Sequence, residues 1–130
     1  MKLNNKKLFL PIEILSREFD SKLLIAHKAL EKGYSVVIGP KGAVYKSARS
    51  YGRGIYFYKD HSLLSARMFQ ELKVAGLRIV AMDAEGLSWP SPENYKSSRI
   101  DKNSIKHCDA IFVWGMQQYN ILIDALPEFK

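Results

Sequence analysis

The 130-residue chain has a single cysteine, Cys108, which excludes an internal disulfide and any zinc site built on several thiolates. It also has no apolar run near the roughly 20 residues that a bilayer-spanning helix needs. The basic start Met1–Lys7 is followed only by Leu8 to Leu15, which Pro11 and Glu13 interrupt and which lacks a small-residue cleavage site. That is not the pattern of a signal peptide, so the cytosol is the expected compartment. Low-complexity tracts, internal repeats and flexible linkers are missing too, and residues 1–130 read as one domain. His27 lies in a helical stripe, His61 beside a helix start, and His107 next to Cys108; none has a second ligand at helical spacing, so no metal is expected. No serine sits in a glycine-flanked nucleophile elbow.

Acidic residues are scarce in one stretch. Between Lys32 and Lys59 there are none, while Lys41, Lys46, Arg49 and Arg53 add to those two bases. A second basic cluster, Lys96, Arg99, Lys102 and Lys106, is diluted by Asp101. The formal charge is +7, an excess that attracts anions of any kind, from nucleic acid and acidic lipid headgroups to nucleotide phosphates. At 47% hydrophobic residues, the chain has enough apolar matter to bury about two-thirds of its unfolded surface without disulfides or metals.

Short β-rich runs alternate with helical-period segments along the chain. Leu8–Ile14 reads as the first strand, with pairing expected to end near Pro11, which lacks an N–H. Asp20 is placed to cap a helix in which Leu23, Leu24, His27 and Leu30 recur and which Gly33 stops. Tyr34–Ile38 is a second strand, ending at Gly39-Pro40, and a short basic helix follows from about Ala43 to Ser50. Gly54–Tyr58 is the third strand. Ser62 opens a helix striped by Leu64, Met68, Leu72 and Ala75 and closed by Gly76, and Leu77–Met82 is the fourth strand. After Pro90 and Pro92 comes a polar helix from about Glu93 to His107, then a fifth strand, Ala110–Trp114. Tyr119, Leu122, Ile123 and Leu126 stripe the last helix, which stops at Pro127.

Five strands, each followed by a helical segment, predict a three-layer, Rossmann-like α/β domain with a five-stranded, mainly parallel sheet. The strands are near-continuous apolar runs, as expected of a sheet covered on both faces. Ligands of such sheets bind beyond the carboxyl ends of the strands. There the sequence places Glu13, Arg17, Glu18 and Asp20 after the first strand, and Gly39, Pro40, Lys41 and Gly42 after the second. Asp83, Glu85 and Gly86 follow the fourth strand, and Trp114 and Gly115 end the fifth. Glu13 interrupts an apolar strand, and a carboxylate at the mouth of a cleft can act as general acid or base. Pairing with Arg17 to order the turn is the simpler role. Gly86 after Glu85 suggests a special backbone turn or close ligand approach. Gly39-Pro40-Lys41-Gly42 is a loose anion cradle, neither a Walker sequence nor a dinucleotide fingerprint. The first strand-to-helix turn has no glycine, which argues against a nicotinamide or flavin dinucleotide; no cofactor is expected.

Four stretches together resemble a known pattern: Leu10-Pro11-Ile12-Glu13 with Arg17–Leu24, Gly33–Gly39, Met82–Leu87, and Ile111–Gly115. Their order and spacing resemble the amino-terminal part of bacterial surface carbohydrate biosynthesis proteins, which look like glycosyltransferases of the two-Rossmann-domain (GT-B) kind. The resemblance implies a role in surface polysaccharide assembly, with a sugar nucleotide or glycan acceptor in a cleft. It implies Glu13 and Glu85 as cleft carboxylates acting as base or contacting sugar hydroxyls, and Arg17 and Lys41 as charge for a phosphate or acidic sugar. Asp83 would share the cleft. Gly39, Gly86 and Gly115 would admit the ligand to the backbone, and Trp114 would stack on a sugar ring. It further implies a second, carboxyl-terminal domain carrying most donor contacts, and hence an apolar docking patch or self-association near the final helix. A basic module without catalysis is the alternative, binding an acidic membrane surface at the inner face of the membrane or, less well supported because no recognition motif is present, nucleic acid. The nucleic-acid form needs exposed aromatics such as Tyr45, Tyr51 or Tyr95 among the bases.

Overall fold

The computed structural model describes residues 6–129. The basic start over residues 1–5 and Lys130 lie outside the described residues. Five strands, β1 (Lys7–Ile12), β2 (Ser35–Pro40), β3 (Ile55–Tyr58), β4 (Arg78–Met82) and β5 (Ala110–Phe112), form one all-parallel sheet in the order β2-β1-β3-β4-β5. Between them run α1 (Leu15–Glu31), α2 (Lys41–Tyr51), α3 (Ala66–Ala75), α4 (Pro92–Arg99) and α5 (Lys102–Ile105); α6 (Met116–Ala125) follows β5. The expected Rossmann-like α/β fold is therefore the observed one. Among the described residues no helix is long and apolar enough to cross a membrane.

The chain forms two compact units. One comprises residues up to Phe57 together with Leu72–Arg78; the other comprises Tyr58–Glu71 and residues from Ile79 onward. In the first, Pro11 does not end the β1–β2 pairing, which runs on through Pro11↔Gly39 to Ile12↔Pro40, whereas the β1–β3 register is at Leu8↔Ile55 and Phe9↔Tyr56. Phe9, Leu10, Ala48, Tyr56 and Leu72 are fully buried there.

Helix α1 departs from expectation twice. It starts at Leu15, five residues before Asp20, because Glu18 reaches back: its Oε2 accepts hydrogen bonds from the backbone N–H groups of Glu13 (2.7 Å) and Ile14 (2.6 Å). Those are donors a helix start otherwise leaves unsatisfied. Its inward face is Glu18, Lys22 and Ala26, with the Lys22 ammonium 4.8 Å from the centre of the Phe57 ring. The stripe of Leu23, Leu24 and Leu30 faces outward, each about half exposed.

In the second unit the predicted Glu93–His107 helix is two helices. Arg99 ends α4, and Asp101 caps α5 by accepting from the Ser104 N–H at 2.8 Å. The stripe of α3 is also rotated from the expected one: Phe69 is buried, whereas Leu64, just before the helix, is 93% exposed. Around the final helix, Leu122 and Leu126 pack with Ile105 into a buried cluster flanked by Ile100, Ile111 and Val113, while Phe112, Met116 and Phe129 remain exposed.

Candidate functional site

Asp83 directly follows β4, and its buried carboxylate organises the second unit's carboxyl-edge loops. Ser91 caps α4 through its Oγ, which accepts from the Asn94 N–H at 3.1 Å, and Pro92 opens the helix. That start sets the phase by which Tyr95 and Arg99, four residues apart, share one helix face. Both reach Asp83. Arg99 Nε donates to Oδ2 at 3.1 Å, and Arg99 Nη2 pairs with Oδ1. The Tyr95 hydroxyl donates to Oδ2 at 3.2 Å, and the Glu85 N–H donates to Oδ1 at 3.0 Å.

The fifth strand's end is tied to the same loop. Trp114 Nε1 donates to the Asp83 carbonyl at 2.7 Å, and the Trp114 N–H donates to Gln118 Oε1 at 2.8 Å. Gln118 Nε2 in turn donates to the Tyr95 hydroxyl at 2.6 Å. Two stretches far apart in sequence, Met82–Leu87 and Ile111–Gly115, thus meet through one hydrogen-bonded network.

The electrostatics follow from burial set against pairing. Burial alone would raise the Asp83 carboxyl's pKa, but the Arg99 hydrogen bonds and charge, with the Glu85 N–H, outweigh it and hold the group below the ordinary carboxylate value. Arg99 is raised, chiefly by its hydrogen bond to Asp83. Burial pushes the Tyr95 phenol up to about 12. Burial also lowers His61, a fully buried ring whose Nδ1 lies 2.9 Å from the Arg99 carbonyl. A carbonyl only accepts, so Nδ1 carries the proton. Nε2 is then a buried acceptor with no hydrogen-bond partner among the described residues.

His61 makes a pH prediction. The native state holds it neutral, so the unfolded chain binds the extra proton below the ordinary value near 6.5. Stability is expected to be full above that pH and to decline below it, and His61→Asn is expected to flatten that decline. Thermal melts at pH 7.5 and 5.5 for both proteins check this.

The sequence-derived candidates now have places. Asp83 is sequestered: Arg99, Tyr95 and the Glu85 N–H hold its carboxylate, and its side chain is 1% exposed. Glu85 is half exposed, with Oε2 at 3.5 Å from Arg99 Nη1. Trp114 is 46% exposed beside Gly115, where an added Cβ would meet nothing within 4 Å. At Gly86 φ is not positive, and an added Cβ would lie 2.4 Å from Gln118 Nε2 and 3.1 Å from the Asp83 carbonyl oxygen. In the first unit, Glu13 and Lys41 stand 3.8 Å apart, both partly exposed, beside an apolar hollow lined by Ile12, Leu15, Phe19, Ile38 and Gly39. Arg17 is exposed on the first turn of α1.

Some expectations fail. Tyr95 is fully buried, so it offers no exposed ring among the bases. In that second cluster Lys96 pairs with Asp124, Lys102 with Glu128 and Arg99 with Asp83. Arg99, Tyr95, Gln118 and His61 were not singled out as site residues. The four-residue spacing of Tyr95 and Arg99 was the available signal; nothing in the sequence distinguishes Gln118 from Gln117 or His61 from a surface histidine. Among the described residues no three His, Cys, Asp or Glu side chains group as a bound metal would require.

No protein-family model, curated protein or solved structure matches this chain. Its chemistry therefore has to be read from the loop network itself. Asp83 fixes the backbone, while Glu85, Arg99 and Trp114 remain partly open at the carboxyl ends of β4 and β5. An indole with a carboxylate and a guanidinium suits a ligand with an apolar ring face, hydroxyl groups and an anionic substituent.

Proposed function

We propose that the chain acts in surface polysaccharide assembly as the amino-terminal Rossmann-like half of a GT-B-type glycosyltransferase, holding a sugar-containing acceptor or donor at the carboxyl ends of its strands. The observation that carries this reading is the bond from Trp114 Nε1 to the Asp83 carbonyl. It joins two of the four stretches on which the family resemblance rests, and it leaves Glu85 and the Trp114 ring accessible together. In this reading Trp114 stacks on a sugar ring, and Glu85 accepts from sugar hydroxyls or serves as base. Arg99 meets a phosphate or acidic sugar, and Asp83 positions Arg99 and the Glu85 backbone without touching ligand. Glu13 with Lys41 offers a second carboxylate and cation at the carboxyl ends of β1 and β2, with Arg17 and Gly39 nearby in that unit.

The test is titration of the chain with nucleotide sugars and with oligosaccharide acceptors, followed by ligand-observed NMR. Binding of at least one class is expected, with Glu85→Gln weakening it about tenfold or more at unchanged melting temperature, and Trp114→Ala weakening it as much at some cost in stability, because it also removes the bond to the Asp83 carbonyl. Turnover, measured beside a version extended through any downstream reading frame, separates binding from transfer. Absence of binding across both classes sinks the proposal.

A further inference from the structure

The charge excess belongs to one unit. The unit containing β1, β2 and α1 has thirteen Lys and Arg against four Asp and Glu, a net +9; the other has seven against nine. Within the basic unit, three of the four acids, Glu13, Glu18 and Asp20, lie just after β1 or in the first turns of α1, leaving only Glu31 toward the other edge. Its crossover helices run back antiparallel to the strands, so the ends of α1, α2 and α3 lie with the strands' amino ends. Backbone bonds tie that edge together. The Ser35 N–H donates to the Lys6 carbonyl and the Arg78 N–H to the Gly54 carbonyl, each at 2.9 Å.

Bases in the last helical turns, such as Arg49 and Lys73, complement the helix dipoles. Lys7, Arg53 and Arg78 lie outside the helices and have no such role. Two of these like charges gather on one ring: the Lys7 ammonium is 3.8 Å and the Arg53 guanidinium 5.1 Å from the Tyr51 centroid, and Arg53 Nη2 donates to the phenol oxygen at 3.4 Å. The phenol's pKa is lowered, chiefly by that hydrogen bond and further by the two positive charges. Lys6 stands 5.7 Å from the Tyr34 ring. Two exposed aliphatics join them, Leu30 at 58% in the last turn of α1 and Val74 at 84% in the last turn of α3.

We propose that this amino edge docks on an acidic lipid bilayer, with Lys7, Arg53 and Arg78 on the headgroups and Leu30 and Val74 in the interface. The aromatic geometry selects a bilayer over single-stranded nucleic acid. Bases stack on free ring faces, and the Tyr51 ring already carries two cations. Exposed aliphatics serve nothing on a phosphate backbone, whereas a bilayer interface takes aliphatics and bases together. The proposal goes beyond the glycan reading and does not depend on it, since it concerns the opposite ends of the strands.

The experiment is flotation of the full chain with vesicles of phosphatidylcholine alone and of phosphatidylcholine with about one-third phosphatidylglycerol, at low and high salt. Binding to the acidic vesicles only, weakened by salt, is expected. Each base near an acidic leaflet contributes about fivefold, so the triple variant Lys7→Gln, Arg53→Gln, Arg78→Gln is expected to partition about 100-fold less. Lys102→Gln with Lys106→Gln, in the other unit, is expected to change nothing. Should the triple variant melt early, Leu30→Ser with Val74→Ser, at exposed positions, is expected to weaken partitioning without changing its salt slope. Equal binding to neutral vesicles, no binding to acidic ones, or full binding by a folded triple variant or by the serine pair overturns the proposal. A loss for the Lys102/Lys106 pair as large as for the triple variant overturns its location. Displacement from acidic vesicles by a lower concentration of oligonucleotide than of soluble headgroup phosphate overturns the choice of a bilayer.

Discussion

Arg99→Met is expected to destabilise the protein by about 3–5 kcal/mol and to reverse the sign of Asp83's contribution to the pH dependence of stability. The magnitude follows from what the substitution leaves behind. Asp83 is 1% exposed, and among the described residues Arg99 is its only cationic hydrogen-bond partner, through two nitrogens. Methionine fills comparable volume but leaves a buried carboxylate with the Tyr95 hydroxyl and the Glu85 N–H alone. In the parent, the carboxyl's pKa lies below its ordinary value of 3.8, so its contribution is present above that pH and is lost as pH falls through the depressed folded value. Without Arg99, burial dominates and the folded pKa rises above the unfolded one. The folded variant then binds the extra proton, so its stability is greatest in acid and falls as pH rises. Urea unfolding of both proteins in the His61→Asn background checks both signs: the parent is expected to lose stability between pH 4.5 and 3.0, and the variant between pH 4.5 and 7.5. Adding Asp83→Asn to Arg99→Met is expected to recover part of the loss at pH 7.5 by removing the unpaired charge. A loss below about 1 kcal/mol would mean that the pair is far better solvated than its burial implies.

This network also marks how far the sequence could be read. The five strands and their parallel crossovers were legible because apolar runs and helical periods survive in the local pattern. The stops at Gly33 and Gly76 were legible because glycine marks such ends, and both positions take positive φ. The start of α1 was not, because Glu18 caps from inside the helix, where a carboxylate looks like any surface acid. Nor was its face: a stripe of leucines normally marks the buried side, yet here Lys22 and Glu18 lie inward and the leucines outward. The break at Ile100–Asp101 had a local signal in Asp101 and Ser104, obscured by an otherwise continuous polar helix. Asp83, Glu85 and Trp114 were legible as residues of the sheet's carboxyl edge because they end strands. By sequence Arg99 belongs to a basic cluster and Tyr95 is a candidate exposed ring. Their burial depends on a partner twelve or more residues away, which no local pattern encodes.

Gly76→Ala is expected to cost about 3 kcal/mol or more, whereas Gly42→Ala is expected to stabilise by about 0.5–1 kcal/mol. The contrast comes from geometry. Gly76 has φ +104°, a conformation that L side chains rarely adopt, and a Cβ there would lie 2.3 Å from the Gly52 carbonyl oxygen. That oxygen belongs to backbone and cannot rotate away. Gly52 is itself at φ +70°, with its own Cβ position 3.1 Å from the Ala75 oxygen, so the turns after α2 and α3 interlock and neither can move to relieve the other. A methyl at Gly76 therefore adds dihedral strain to a backbone clash, and both act on the start of β4. Gly42 lies in the first turn of α2 without positive φ, and an added Cβ would meet nothing within 4 Å. Alanine there removes freedom from the unfolded chain and raises helix propensity. Denaturation midpoints of the two variants beside the parent decide the matter. If Gly76→Ala unfolds at the parent's midpoint, the interlocked turns are not the constraint their geometry describes, and the amino edge of the sheet is more pliable than its backbone contacts indicate.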